Sequence, residues 1–222
     1  AQAWFHISAT YDNNSRLHNV WDEQRVSGSA DCAIRHWDDD PLSTIRPVAL
    51  GYWASPLQTG GFDLNLAKIT VGTGDGSTMC QGGAQSNNNY VYVTYTQFGG
   101  NTPLQLSDYS DEASVTGRTG GYMNGELYLA SSNTRGDTWS PTANLTDTKT
   151  PGCNPGVATL ITGEPQFPDN VCRSEHWATI NRVVRDIDIS FISDLDAAGI
   201  VYGQGSWQLN PVHYVQLNGG AT

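Results

Sequence analysis

Asp194, Asp196 and Gly199 stand at the first, third and sixth places of a calcium-type loop in "DLDAAG". Ca2+ takes roughly six to eight oxygen ligands, and such a loop normally ends in a bidentate acid. Here Ala198 holds the fifth place and Gly205 the twelfth, so two ligands are missing and a turn is the first reading. Asp194 and Asp196 are kept as metal candidates and Ca2+ as a candidate ion; no cofactor is required. The five histidines, at 6, 18, 36, 176 and 213, have no metal-like spacing and sit beside aromatics within strands, where packing is the default role. No Gly-x-Ser-x-Gly elbow supports a serine hydrolase, and "TGDGS" lacks the Gly-Lys of a phosphate loop.

The four cysteines include no CxxC pair, which disfavours structural zinc. An even count in a chain rich in Gly, Asn and Thr points to disulfides and an oxidising compartment. Of three connectivities, Cys153 with Cys172 and Cys32 with Cys80 is expected, the first closing "CNPGVATLITGEPQFPDNVC"; four buried thiols are the competing reading. Among the tryptophans, Trp53 in "GYWASPLQTGG" has the most loop-like context and is the candidate exposed ring for a ligand.

Nearly every patterned segment alternates with period two. In "DIDISFIS" Ile187, Ile189 and Phe191 face one way and Asp186, Asp188 and Ser190 the other, the pattern of a half-buried strand. Similar strands are expected at 3–11, 16–24, 32–39, 63–72, 90–98, 125–132, 177–184 and 211–217. No helical stripe occurs, so the fold class is all-β. The strands gather into three groups, about 1–60, 61–145 and 175–218, with long loops at about 99–124 and 150–175. Such repetition suits β-propeller blades in one domain spanning 1–222, with a β-sandwich as the structural alternative.

Within "LASSNTRGDTWSP" the spacing of Ser132, Gly136, Thr138 and Trp139 has a local logic. A hydroxyl bonds the turn backbone, glycine permits positive φ, and the indole plugs the hairpin. The stretch resembles the Asp-box, Ser-x-Asp-x-Gly-x-Thr-Trp, of bacterial secreted sialidase-like β-propellers, with Thr134 where the aspartate is expected. The strand "NGELYLASS" before it, the exit "SPTANLT" after it and the closing region from "SEHWATINRVV" extend the likeness over roughly residues 60–217. In that family the box lies away from the catalytic face, so the resemblance implies architecture, not activity.

A sialidase-like enzyme would need arginines for a carboxylate, a tyrosine activated by a glutamate, and an acidic proton donor. Arg46 in "TIRPV" lacks the aromatic and the spacer of the family's first arginine motif. Arg46, Arg118, Arg173, Glu126 and Glu175 are the residues to test, each read as an ordinary surface or blade residue, and no catalytic residue is assigned.

Acidic residues outnumber basic ones 22 to 11, a net charge of −11. That field repels nucleic acid and anionic lipid, and no run approaches the length of a membrane helix. Only two lysines occur, and the start "AQAWFHISATYD" lacks the features of a signal peptide, so a mature secreted chain is expected. Three blades would be half of a six-bladed ring, leaving apolar flanks to be covered by self-association or by a complementary chain or segment. The resulting expectation is an extracellular module that binds a glycan or protein or assembles a surface structure. The alternative is an exo-acting glycoside hydrolase.

Overall fold

The computed structural model describes residues 6–25, 31–52, 65–77, 86–98, 123–148, 153, 159–161, 164–166, 171–196 and 209–217. Three successive stretches of chain each build an antiparallel sheet. The first runs β1 (Ile7–Tyr11), β2 (Leu17–Gln24), β3 (Cys32–Asp38) and β4 (Arg46–Gly51), neighbours in chain order. The second runs β5 (Leu66–Gly74), β6 (Val91–Gln97), β7 (Glu126–Ser132) and β8 (Ala143–Asn144), again in chain order. A small ladder of β9 (Thr159–Ile161) and β10 (Glu164–Gln166) precedes β11 (Ser174–Ile180). The next strand, β12 (Val183–Val184), pairs in parallel with the end of β5, while β13 (Ile187–Asp194) and β14 (Val212–Leu217) complete the third sheet in the order β11-β13-β14. Among the described residues there is one 3-10 turn, Asn87–Asn89, and no α-helix. The protein is all-β.

The sheets stack in three layers. Val20, Ile34 and Val48 of the first pack on Ile69, Val71, Val93 and Tyr95 of the second. The opposite side of the second sheet, through Tyr92, Leu127 and Leu129, packs on Ile180, Ile187, Ile189 and Phe191 of the third. The middle sheet is therefore buried on both faces, which explains why every residue of β6 and β7 is buried. Its inward hydroxyls find partners, Thr70 Oγ1 with Thr94 Oγ1 at 2.7 Å and Thr96 Oγ1 with the Glu175 carbonyl at 3.0 Å. The end sheets turn one face outward, exposing Ile7 and Tyr11 on one and Val212 and Tyr214 on the other.

Two expectations are corrected. "WATINRVV" is not one strand: β11 stops at Ile180, and Asn181 turns the chain by donating to the carbonyls of Val183 and Asp186 and accepting from Asp188 N. β4, which begins at the "RPV" of "TIRPV", is not among the expected strands. Pro47 is tolerated since β4 is the sheet's edge, where its lost N–H breaks no ladder.

Register puts the two ends of the stack to different uses. Gln24 pairs with Cys32, Cys32 with Gly51, Leu66 with Gln97, Gln97 with Glu126, and Ser174 with Asp194. At this end β4, β6 and β13 finish and β5, β7 and β11 begin. The opposite end carries the tight turns, the Asp-box-like stretch among them.

Candidate functional site

Glycine at 125 brings β11 against the start of β7. A Cβ there would meet Thr96 Cγ2 at 2.4 Å and the Glu175 carbonyl oxygen at 3.2 Å. Its absence lets Gly125 N donate to Ser174 Oγ (2.7 Å) and Gly125 O accept from Glu175 N (2.7 Å). These bonds cross from one sheet to the next and set Glu175 beside Glu126, the first residue of β7.

Glu126 is ringed by donors: Asn144 Nδ2 and Thr146 Oγ1 at 3.1 Å, and Thr148 through its backbone N–H (3.0 Å) and its hydroxyl (3.2 Å). The same Thr148 hydroxyl lies 2.8 Å from Glu175 Oε2. One hydroxyl proton cannot serve two carboxylates at once. The conflict disappears when Glu175 keeps its own proton and donates to Thr148, which donates on to Glu126. Burial, with the neighbouring Glu126 adding to it, pushes the Glu175 carboxyl up to about 8, so at neutral pH it is mostly protonated.

Glu175 opens into a cleft of about 230 Å³ with Thr146, Thr148, Arg173, Ser193 and His213 on its walls and Phe191 among its apolar lining. His213 stacks on Phe191 at 5.2 Å, and burial, then the Arg173 charge, lowers its pKa. The cleft thus combines a cation, a neutral imidazole, a protonated acid and hydroxyls. A carboxylic acid paired with a second carboxyl across a shared hydroxyl can hold and return a proton.

Three of the five arginine and glutamate candidates, Arg173, Glu126 and Glu175, come together here. Arg46 does not: it is exposed and pairs with His36, toward the turn-bearing end. Arg118 lies outside the described residues, as does Trp53. Thr148 and His213 escaped the sequence reading. His213 resembled any strand histidine, and nothing in the chain marks Thr148 as the hydroxyl between two acids.

Asp194 and Asp196 form a turn. Asp194 Oδ1 accepts from Asp196 N and Asn210 Nδ2, both at 3.1 Å, and burial, ahead of other causes, raises its pKa to about 6. Among the described residues no group of three or more His, Cys, Asp or Glu side chains is arranged to hold a metal. Cys153 and Cys172 are disulfide-bonded, with Cα atoms 5.0 Å apart. The expected partnership of Cys32 with Cys80 is corrected: Cys32 is a free, buried thiol whose sulfur accepts from Leu66 N at 3.1 Å, and burial raises it to about 12. It packs in the apolar layer between the first two sheets. Cys80 lies outside the described residues.

The turn at 132–139 spends its polar groups internally. Ser132 Oγ accepts from Thr134 N and Gly136 N, Thr134 Oγ1 accepts from Thr138 N, and Trp139 Nε1 donates to Gly136 O at 3.0 Å. Trp139 packs against the first core and meets the His36 ring edge-on at 5.4 Å. A second, wider cleft of about 410 Å³ borders this turn, between Tyr90 and Trp139. Several of its hydroxyls and its indole N–H already serve the turn, and it is lined by no acidic, basic or imidazole side chain. The Glu175 cleft is therefore the functional candidate.

No protein-family model matches the chain, and no curated protein matches it.

Proposed function

We propose that this chain is an extracellular binding module that takes a polar ligand of the glycan class in the Arg173–Glu175–His213 cleft. The observation that carries this reading is the cleft itself: a cation, two neutral proton-bearing groups and three hydroxyls around an aromatic patch. Polar groups few in number and fixed in place over an apolar floor suit recognition of a hydroxyl-rich ring. Its volume fits one small ring or substituent, below the roughly 300 Å³ where drug-sized sites begin. The disulfide suits an oxidising compartment, and among the described residues no helix is long and apolar enough to cross a membrane. The likeness of the 132–139 turn to the Asp-box supports the same placement.

Arg173→Ala is expected to weaken glycan binding by about tenfold or more, as loss of a central anchor does. Calorimetry against a set of neutral and acidic oligosaccharides checks this. Unchanged affinity in the variant would remove the cleft from the proposal.

One observation favours a second reading, an exo-acting glycoside hydrolase: the protonated Glu175 faces a second carboxyl across Thr148. Hydrolysis by two carboxyl groups needs one as proton donor. Turnover of a fluorogenic glycoside panel that vanishes in Glu175→Gln would establish catalysis, whereas binding without turnover leaves the module reading in place.

A further inference from the structure

Trp177 is 59% exposed, large for an indole within a strand, and its backbone is in the left-handed region at φ 56°. That conformation is an outlier for a bulky residue. It occurs in a β-bulge, where the β11–β13 register slips between His176 and Thr179, and β11 is the edge strand of its sheet. Bulges at edges re-aim side chains. A second bulge faces it on β5, between Ala67 and Thr70, and there Lys68 is also left-handed at φ 54°. Thr70 Oγ1 donates to Ala178 O at 3.3 Å and ties the two bulges together. Lys68, only 7% exposed, extends its ammonium to 4.9 Å from the Trp177 ring centre and 5.3 Å from that of Phe98.

The consequences for the indole are geometric. A cation–π contact to a largely desolvated ammonium holds one ring face. With that face occupied, the exposure of Trp177 must come from the other face and the edge. Two strained residues in facing bulges, coupled by a hydrogen bond and a cation–π contact, hold a flat apolar surface toward solvent. Strain of this kind persists only where the surroundings enforce it, and it concentrates at functional positions. Trp177 lies two residues from Glu175, roughly 7 Å along the strand.

We infer that Trp177 is a stacking platform for a pyranose ring, presented by the paired bulges and backed by Lys68. A pyranose offers a C–H face of matching size, while its hydroxyls stay hydrated or reach the polar groups beyond. The chain's net charge of −11 makes a nucleobase the poorer occupant. The inference rests on the binding-module reading and adds a contact outside the cleft.

The test is affinity electrophoresis through gels holding β-glucan, xylan, galactomannan or pullulan, joined to 19F NMR of protein labelled with 5-fluorotryptophan. Wild type is expected to be retarded by at least one polymer, with the Trp177 resonance, assigned from its loss in Trp177→Phe, shifting on addition of oligosaccharides from that polymer. Trp177→Phe keeps most of the retardation. Trp177→Asn, a residue at ease in the left-handed region, loses about tenfold in affinity while its melting temperature stays level or rises. A packing role would lower stability and leave binding intact. Retention of binding in Trp177→Asn, or an unmoved Trp177 resonance, overturns the inference. If Arg173→Ala alone abolishes retardation, the cleft reading survives without the platform; if no polymer retards wild type, both fail.

Discussion

Gly136→Ala is expected to cost about 3 kcal/mol of stability, which for a chain of this size lowers Tm by about 10 °C. Two terms add. Gly136 has φ 95°, where any side chain is strained, and a Cβ there would meet the His36 ring at 2.0 Å from Cε1 and 2.3 Å from Nδ1. The ring cannot yield readily. His36 Nε2 is bonded to His18 Nδ1 at 3.0 Å, the two imidazoles stack at 5.3 Å, and Trp139 closes the remaining side. The turn therefore docks the second sheet on the first, through a histidine that β3 supplies. Urea unfolding of Gly136→Ala beside Asp137→Ala, an exposed neighbour in the same turn, measures the difference. A change under about 0.5 kcal/mol in the glycine variant, the range of ordinary surface substitutions, would show that the contact is not part of what holds the sheets together.

The second large effect is on the pH dependence of stability, where buried groups pull in opposite directions, His36 and Glu175 among them. Burial, then the neighbouring His18, lowers His36 from 6.5 to about 4, with Asp38 opposing. Protonating it costs more in the folded chain than in the unfolded one. Its contribution, about 3 kcal/mol, is complete above pH 6.5 and is lost as pH falls to about 4. Glu175 acts the other way. Its folded pKa is raised from 4.5 to about 8 by burial and then by Glu126, so its contribution is complete below pH 4.5 and is lost as pH rises to about 8. Wild type should therefore show a shallow optimum between the two limbs. Glu175→Gln should lose most of the alkaline decline and exceed wild type at pH 8, and His36→Gln should weaken the acid limb, to which the lowered His18, His176 and His213 also contribute. Urea midpoints from pH 4 to 8 for the three proteins decide this; parallel curves for wild type and Glu175→Gln would place Glu175 in water and remove its role as a proton-holding group.

Local information carried a definite part of this molecule. Period-two alternation in 186–193 became β13 with Ile187, Ile189 and Phe191 buried, because facing a sheet is a property of alternate residues and needs no distant partner. The turn at 132–139 was legible for the same reason: Ser132, Gly136 and Trp139 satisfy one another within eight positions. So was the Cys153–Cys172 bond, which closes a short excursion.

Tertiary structure decided the rest. Glu126 and Glu175 are 49 positions apart in sequence, and only the close approach at Gly125 brings them to one hydroxyl. Cys32 remains a thiol because the layer between the first two sheets closes over it. Lys68 and Trp177 take left-handed backbones that their residue types disfavour, under constraint from bulges on two different sheets. Alternation and turn chemistry are written residue by residue, so the chain alone settles strands and hairpins. Which acids meet at one hydroxyl, and which indole stays exposed, depends on how three sheets stack, and that is a property of the assembled layers.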